Sequence, residues 1–209
     1  MKQKTILSIS DYNGSWSAPY LLAGYRVIRI DPKHLDRRTN NLITLPWTAQ
    51  QCLAQLTSLT ADFGPIHGLL AAPPCTHFSS SGAQYWKAKD ADGRTASALE
   101  CLDAINEIVK RLKPVWYAIE NPVGRIPTLR PDMGKPHYFQ PFEYGDAYTK
   151  KTGLWGCFNR AMEKTPVAPI RACKQGSWLQ QLGGKSEKTK TLRSNTPEGF
   201  AKAFFNANK

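Results

Sequence analysis

Two short segments hold the residue types from which covalent chemistry on a ring could be built. The first, Ala71-Ala72-Pro73-Pro74-Cys75-Thr76-His77-Phe78-Ser79, sets a cysteine directly behind two prolines at the end of the apolar run 66–70. Proline fixes φ and removes an N–H donor, so a Pro-Pro pair forces a stiff, extended turn. A thiol held rigidly at the mouth of a sheet is how a covalent nucleophile is presented. The second, Trp116-Tyr117-Ala118-Ile119-Glu120-Asn121-Pro122, repeats the layout with an apolar run, a carboxylate, an amide and a proline. A nucleophilic Cys75 and an acid at Glu120, each closing a strand, suggest addition to an electron-poor ring.

The elements that must position these groups follow from periodicity. Residues 5–10 are short and β-branched and read as a first strand. Turn chemistry at 11–15 leads into a short helix over 16–23, closed by Gly24. A second strand over 26–30 ends at Asp31-Pro32, and a helix is expected over 50–59. Residues 66–71 form the third strand. In the segment 95–112 apolar residues recur at three and four, with Ser97 and Glu100 as a capping box and Pro114 as a stop. Residues 115–119 form another strand, and 196–206 a closing helix with Pro197 in its first turn. The stretches 76–95 and 122–152 lack periodicity and read as long functional loops. Strands alternating with helices imply an α/β fold with a mostly parallel, doubly wound sheet. Such sheets bind ligands beyond the carboxyl ends of their strands. Gly14, Asp31, Cys75 and Glu120 all fall just past strand ends, so four independent features converge on one edge.

Bulk properties narrow the partners. The 209 residues suit one domain able to bury a full core. The net charge is +12, and it is uneven: residues 1–149 carry 16 Lys/Arg against 13 Asp/Glu, residues 150–209 carry 12 against 3. That asymmetry points to a polyanion docking on the C-terminal part, with a merely solvated surface as the other reading. Five widely spaced cysteines, without a Cys-x-x-Cys pair or zinc pattern, suit a reduced, intracellular chain. No apolar run approaches the roughly 20 residues a bilayer span needs, so a soluble cytoplasmic protein is expected, with no membrane partner.

The turn Asp11-Tyr12-Asn13-Gly14-Ser15-Trp16 lacks a full Gly-x-Gly-x-x-Gly and does not by itself specify a dinucleotide site. Its single glycine still lets a ligand approach the backbone. Asp31 is placed to accept from ribose hydroxyls, or is a surface acid before a proline turn.

With these segments in order, the chain resembles the cytosine-5 DNA methyltransferases, in the compact form common among bacteriophage proteins. Asp11-Tyr12-Asn13-Gly14 resembles the family's Asp-Leu-Phe-Ser-Gly opening. Pro73-Pro74-Cys75-x-x-Phe78-Ser79 matches its Pro-Pro-Cys-x-x-Phe-Ser loop, and Glu120-Asn121-Pro122 resembles its Glu-Asn-Val. Residues 148–155 and 194–205 resemble late segments of the phage members. The resemblance implies a Rossmann-like methyltransferase fold, S-adenosylmethionine as cofactor and DNA, duplex or single-stranded, as substrate. It implies Tyr12, Asn13, Gly14 and Trp16 around the cofactor's amino-acid and ribose portions, with Pro73 beside them. Asp31 would take the ribose diol, and Asn41 stands where the family's adenine-binding Asp is missing. Cys75 would be the thiolate adding to cytosine carbon 6, and Glu120 the acid protonating ring nitrogen 3. Asn121 joins them in the catalytic loop, as an orienting residue, a turn residue before Pro122 or a substrate contact. Pro74, His77, Phe78, Ser79, Lys150 and Lys151 would face the substrate.

Other readings attach to some of these. Cys75 and His77 could be read as a protease pair, although catalytic partners are seldom adjacent in sequence. Trp116 and Tyr117 suit core packing. The family inserts a target-recognition domain before its last motif; here only about 40 residues separate Leu154 from Asn195. The expected division is a catalytic core over 1–155, a short basic region over 156–194 and a closing helix over 195–209. Two alternatives keep less of the resemblance: the same chemistry on RNA or a nucleotide, and a catalytically silent nucleic-acid binder.

Overall fold

Thr5–Ile9 (β1) is buried at every position, the signature of a strand covered on both faces. In the computed structural model, which describes residues 3–174, 176–182 and 186–209, β1 lies at the centre of one eight-stranded sheet. The remaining strands are Arg26–Ile30 (β2), Arg37–Arg38 (β3), Leu42–Leu45 (β4), Ile66–Ala71 (β5), Trp116–Pro122 (β6), His137–Phe139 (β7) and Thr152–Cys157 (β8). Their order is β3-β4-β2-β1-β5-β6-β8-β7. The five central strands are parallel, whereas β3, β7 and β8 pair antiparallel. The sheet is therefore mixed at both edges around a parallel centre.

β1 and β2 match the sequence reading closely, and β5 matches it residue for residue. β1 sends the chain to β2 on one side and pairs with β5 on the other, so the topological switch lies between β1 and β5. Successive strand residues face opposite sides. Leu7, Ile28 and Leu69 enter a core with Leu102, Ile105 and Ile108, while Ile6, Val27 and Leu70 enter a second with Trp16, Tyr20, Phe200 and Phe204. Trp116 belongs to the second core, stacked on Tyr20 with ring centroids 5.4 Å apart.

The helices on the first face are Ala49–Ala54 (α2), Leu56–Phe63 (α3) and Arg94–Leu112 (α5); Ala18–Leu22 (α1) and Glu198–Ala207 (α9) cover the second. One helix was expected over 50–59, but Gln55 leaves helical geometry and splits it. The capping box belongs to Thr48 and Gln51. The one expected at Ser97 and Glu100 does not form, because α5 starts earlier, at Arg94. Gly93, at φ +82°, turns the chain straight out of Trp86–Ala91 (α4) into α5, so Ser97 is interior. Pro197 is the N-cap of α9 rather than a first-turn residue.

The two expected loops hold more structure than their sequences advertise. Residues 75–91 form two 3-10 turns and α4. Residues 122–152 contain Ile126–Leu129 (α6), two further 3-10 turns and β7. Beyond β8, the chain adds Trp178–Gln181 (α7) and Glu187–Ser194 (α8). Among the described residues no helix is long and apolar enough to cross a membrane.

Candidate active site

β5 and β6 run side by side in parallel, with Ala71 opposite Ile119. Their carboxyl ends therefore deliver the Pro73–Cys75 turn and Glu120-Asn121 to one rim. Asn121 is fully buried and its Nδ2 donates to the Pro73 carbonyl at 2.9 Å, which ties the two loops together. This role is positional: the side chain is sealed behind the rim, which agrees with the orienting reading of Asn121 and not with a substrate contact. Cys75 opens the 3-10 turn Cys75–His77, and its carbonyl accepts from the Phe78 and Ser79 amides at 3.0 and 2.9 Å. Pro73 is buried and Pro74 exposed, so the thiol stands at the boundary between core and solvent, itself partly exposed.

Glu120 is buried, and its Oε1 has no hydrogen-bond partner. The nearest cation is Lys150, Nζ to Oε1 3.8 Å, and Lys150 is also buried. β8 explains the encounter. It returns antiparallel along β6, with Thr152 opposite Pro122, so Lys150 arrives beyond the carboxyl end of β6. Burial raises the Glu120 pKa above the ordinary carboxylate range, against the pull of Lys150. Burial likewise raises the Cys75 thiol; Lys150 opposes that rise and Glu120 adds to it. The result is a carboxyl that holds its proton more tightly than an exposed one, a thiol and a shared ammonium at the ends of adjacent strands. Such a trio can add sulfur to a ring while handing that ring a proton.

The remaining rim residues divide. The loop after β1 is shaped by Asp11, which accepts from Ser8 Oγ at 2.9 Å and Ser17 Oγ at 2.6 Å. Gly14 has φ +70°, and a Cβ there would sit 2.0 Å from the Arg29 guanidinium carbon. Arg29 fills that space and donates to the Gly14 carbonyl at 3.3 Å and to Ser17 Oγ at 2.9 Å. Ser10, just past β1, is a non-glycine residue at φ +59°, a strained conformation that clusters at ligand sites. Tyr12 and Asn13 are exposed on the crevice. Tyr12 meets His34 at 5.3 Å between ring centroids. Asp31, at the end of β2, accepts from the Lys33 amide at 2.9 Å.

Two expected cofactor contacts are corrected. Trp16 is fully buried against Phe200 and Phe204, so its ring belongs to the core. Asn41 precedes β4, where its carbonyl accepts from Val27 at 2.7 Å and its side chain from Gln3 at 2.8 Å. That is the amino end of the sheet, about 13 Å of strand away from the rim at Leu45. A residue there cannot meet a ligand held at the carboxyl ends.

The expected substrate contacts divide as well. Phe78 is fully buried and packs in the first core, which corrects its placement against substrate. Ser79 caps the second 3-10 turn and bridges to Gly124. Lys151 points to the surface, its ammonium 4.9 Å from the Tyr138 ring centroid. His77 has a buried Nδ1 without a partner. Burial and the cations Lys89, Arg94 and Arg125 hold its pKa below the ordinary histidine value, which favours the neutral ring.

Sequence reasoning passed over four residues. Arg125 braces the lid through His77 O at 3.0 Å and Thr95 Oγ1 at 2.7 Å, and stacks on Trp86. Lys89, also buried, caps the Cys75–His77 turn through the Thr76 carbonyl at 2.5 Å. His34 places an unpartnered, buried Nε2 next to Tyr12. Asn195 accepts from Lys150 Nζ through its backbone at 3.0 Å and from Asn13 through its side chain. Only Asn195 carried a signal, lying inside the C-terminal segment that bears the resemblance.

No family model matches the chain, and no curated protein matches it. Among solved structures it matches an E. coli protein described as "putative DNA modification methyltransferase encoded within prophage", with TM-score 0.55 and 15% sequence identity. That likeness is one of fold. It covers 88% of this chain and 56% of the other, so this chain spans little more than half of that protein's length. The mixed α/β sheet with its parallel centre is thus an arrangement shared with that protein.

Proposed function

We propose that this protein methylates cytosine at carbon 5 in DNA, using S-adenosylmethionine. The observation that carries this reading is the meeting of Cys75, just past β5, with buried Glu120, near the carboxyl end of β6, and buried Lys150. The prophage protein of like fold, described as a DNA modification methyltransferase, supports the substrate class.

The groups at the ends of β1 and β2 support a cofactor held there. His34 Nε2 is a buried, unpartnered polar atom there, Ser10 is strained, and Asp31 offers a carboxylate at the end of β2. Tyr12, Asn13, Gly14, Asp31 and Pro73 would hold the cofactor, with His34 added to the set. When bound, it supplies an electrophilic methyl group.

The chain's own residues then divide the work. Cys75, its thiol proton released to water, bonds through sulfur to carbon 6 of the pyrimidine. The 5,6 π pair shifts into the 4,5 bond, and the π pair between carbon 4 and nitrogen 3 moves onto nitrogen 3. Glu120 gives its proton to nitrogen 3, so that nitrogen carries no net negative charge afterwards. Once carbon 5 is methylated, water takes the carbon 5 proton, sulfur leaves carbon 6 as the thiolate, nitrogen 3 returns its proton and the 5,6 double bond is restored. The step needs a carboxyl that still carries its proton, and burial shifts Glu120 in that direction. Lys150 lowers the cost of the thiolate. The lid over 76–91, braced by Arg125 and Lys89, closes the substrate side. The exposed cations Arg160, Arg171, Lys174 and Arg193 lie in the basic C-terminal part and would contact phosphates.

The test is trapping. The protein is incubated with S-adenosylmethionine and oligonucleotides containing 5-fluorocytosine, as duplex DNA, single-stranded DNA and RNA. A covalent adduct at Cys75 with DNA is expected. Absence of any adduct, with unmethylated DNA recovered from expressing cells by bisulfite sequencing, defeats the reading. An adduct on RNA alone replaces the substrate.

A further inference from the structure

Asn195 closes α8 at a point where two parts of the rim meet. Its side-chain oxygen accepts from Asn13 Nδ2, in the exposed loop after β1. Its backbone carbonyl accepts from Lys150 Nζ at 3.0 Å, and Lys150 lies 3.8 Å from Glu120 Oε1. Two residues earlier, Arg193 donates to Ser81 Oγ of the lid at 3.2 Å. The chemistry above gives Asn195 no task, yet it joins the crevice, the ammonium and the lid.

We propose that Asn195 is a positioning residue that couples occupancy of the loop after β1 to the placement of Lys150, and through Lys150 to the reactivity of Cys75. The inference rests on the reading of that loop as the cofactor site. A lysine stem is flexible, so its ammonium goes where its partner holds it. Here the hydrogen-bonded partner is the Asn195 carbonyl, and the Asn195 side chain is tied to Asn13. A ligand in the crevice meets Asn13 first, because Asn13 is exposed there. Any change at Asn13 is passed to a carbonyl that sets the distance between the ammonium and two buried groups. Coulomb energy in a poorly solvated pocket varies steeply with that distance. The charged groups that face Cys75 are Lys150, Glu120, Arg193 and, more weakly, Lys89. Lys150 and Arg193 both depend on the 193–195 segment, so the segment governs two of the three cations.

The experiment follows alkylation of Cys75 by iodoacetamide across pH, resolved by peptide mass spectrometry, with and without S-adenosylhomocysteine. Binding is measured separately by calorimetry. In the intact protein the ligand is expected to lower the alkylation midpoint by about one pH unit, the low end for an opposite charge at close range. Simple shielding would slow alkylation equally at every pH and leave the midpoint in place. Asn195→Ala, which keeps the backbone carbonyl but loses the acceptor for Asn13, is expected to bind S-adenosylhomocysteine while losing most of the midpoint shift. Asn195→Ser, whose shorter side chain cannot reach Asn13, is expected to behave alike and serves if Asn195→Ala does not bind. An unmoved midpoint in ligand-bound intact protein overturns the coupling. So does a full shift in either variant that binds the ligand. Failure of the intact protein to bind S-adenosylhomocysteine at all removes the cofactor reading, and the coupling with it.

Discussion

Glu120 and Lys150 lie 3.8 Å apart in a pocket that buries both, and the carboxyl oxygen nearest the ammonium has no hydrogen bond. Burial outweighs the ammonium, so the folded-state pKa of Glu120 lies above its unfolded value. A group raised in this way binds its proton more tightly when folded. Its contribution is full below the unfolded carboxylate pKa and is lost as pH rises through the folded value. Glu120→Gln is therefore expected to flatten the decline of stability above pH 5 relative to the parent. Urea unfolding of both proteins between pH 4 and pH 9 checks this. The same variant should lose about 10²–10⁴-fold in methyl-transfer rate, the usual contribution of a positioned acid.

Cys75→Ala should abolish the 5-fluorocytosine adduct and lower methyl transfer by a factor on the order of 10⁶, as removal of a covalent nucleophile does. DNA affinity in a filter-binding or anisotropy assay should stay within about threefold, because the sulfur makes little of the interface. Undiminished methyl transfer without the sulfur would defeat the covalent mechanism, whereas DNA binding with no methyl transfer in the parent would leave the silent-binder reading.

Asn121 has a geometric task, so its loss should first appear in stability. Asn121→Ala leaves the Pro73 carbonyl without its donor and opens space behind the turn. A cost of about 1–3 kcal/mol is expected, read as a lower midpoint in urea unfolding. Methyl transfer should fall in parallel, since the same bond aims Cys75.

Gly124 lies under the lid. A Cβ there would sit 1.9 Å from the Phe78 carbonyl oxygen and 2.9 Å from Ser79 Cα. Gly124→Ala must push the lid base away from residues 122–125, where Arg125 N and Ser80 N now bond across at 3.0 and 2.9 Å. Overpacking of this kind costs about 1–3 kcal/mol. Hydrogen exchange should rise over residues 78–82 while the strands stay protected.

Salt dependence tests the basic C-terminal part. Each phosphate contact adds about 0.9 to the magnitude of the log–log salt slope on duplex DNA, and about 0.7 on a single strand. Removing Arg160, Arg171 and Lys174 together should flatten the slope by two to three such steps and weaken all sequences alike, measured by anisotropy from 50 to 300 mM salt. An unchanged slope would take those residues off the interface.

The placement of the thiol and the carboxyl on one rim was visible in the sequence, for local reasons. The Pro-Pro-Cys turn announces itself within a few residues, and the apolar run before it gives β5 to the residue. The strand expected over 115–119 instead runs Trp116–Pro122, because β8 pairs with Glu120, Asn121 and Pro122 and extends it. What failed were inferences from residue type to location. Trp16 and Phe78 sit in motifs and read as ligand contacts, yet burying a large ring against the sheet is worth more than exposing it, and both are core. Asn41 directly precedes β4 instead of following a strand, which sends it to the amino end of the sheet.

The sequence by itself determined that a thiol and a carboxyl would stand near the carboxyl ends of two apolar strands, and that positive charge would gather near the C-terminus. These are properties of short segments and of composition. Only the tertiary structure decided that β8 would return antiparallel along β6 and set Lys150 beside Glu120. It also decided that Asn195 would tie that lysine to Asn13, 182 residues away along the chain. Strand pairing and side-chain burial are settled by the whole sheet at once, and no local pattern encodes which distant carbonyl an ammonium will find.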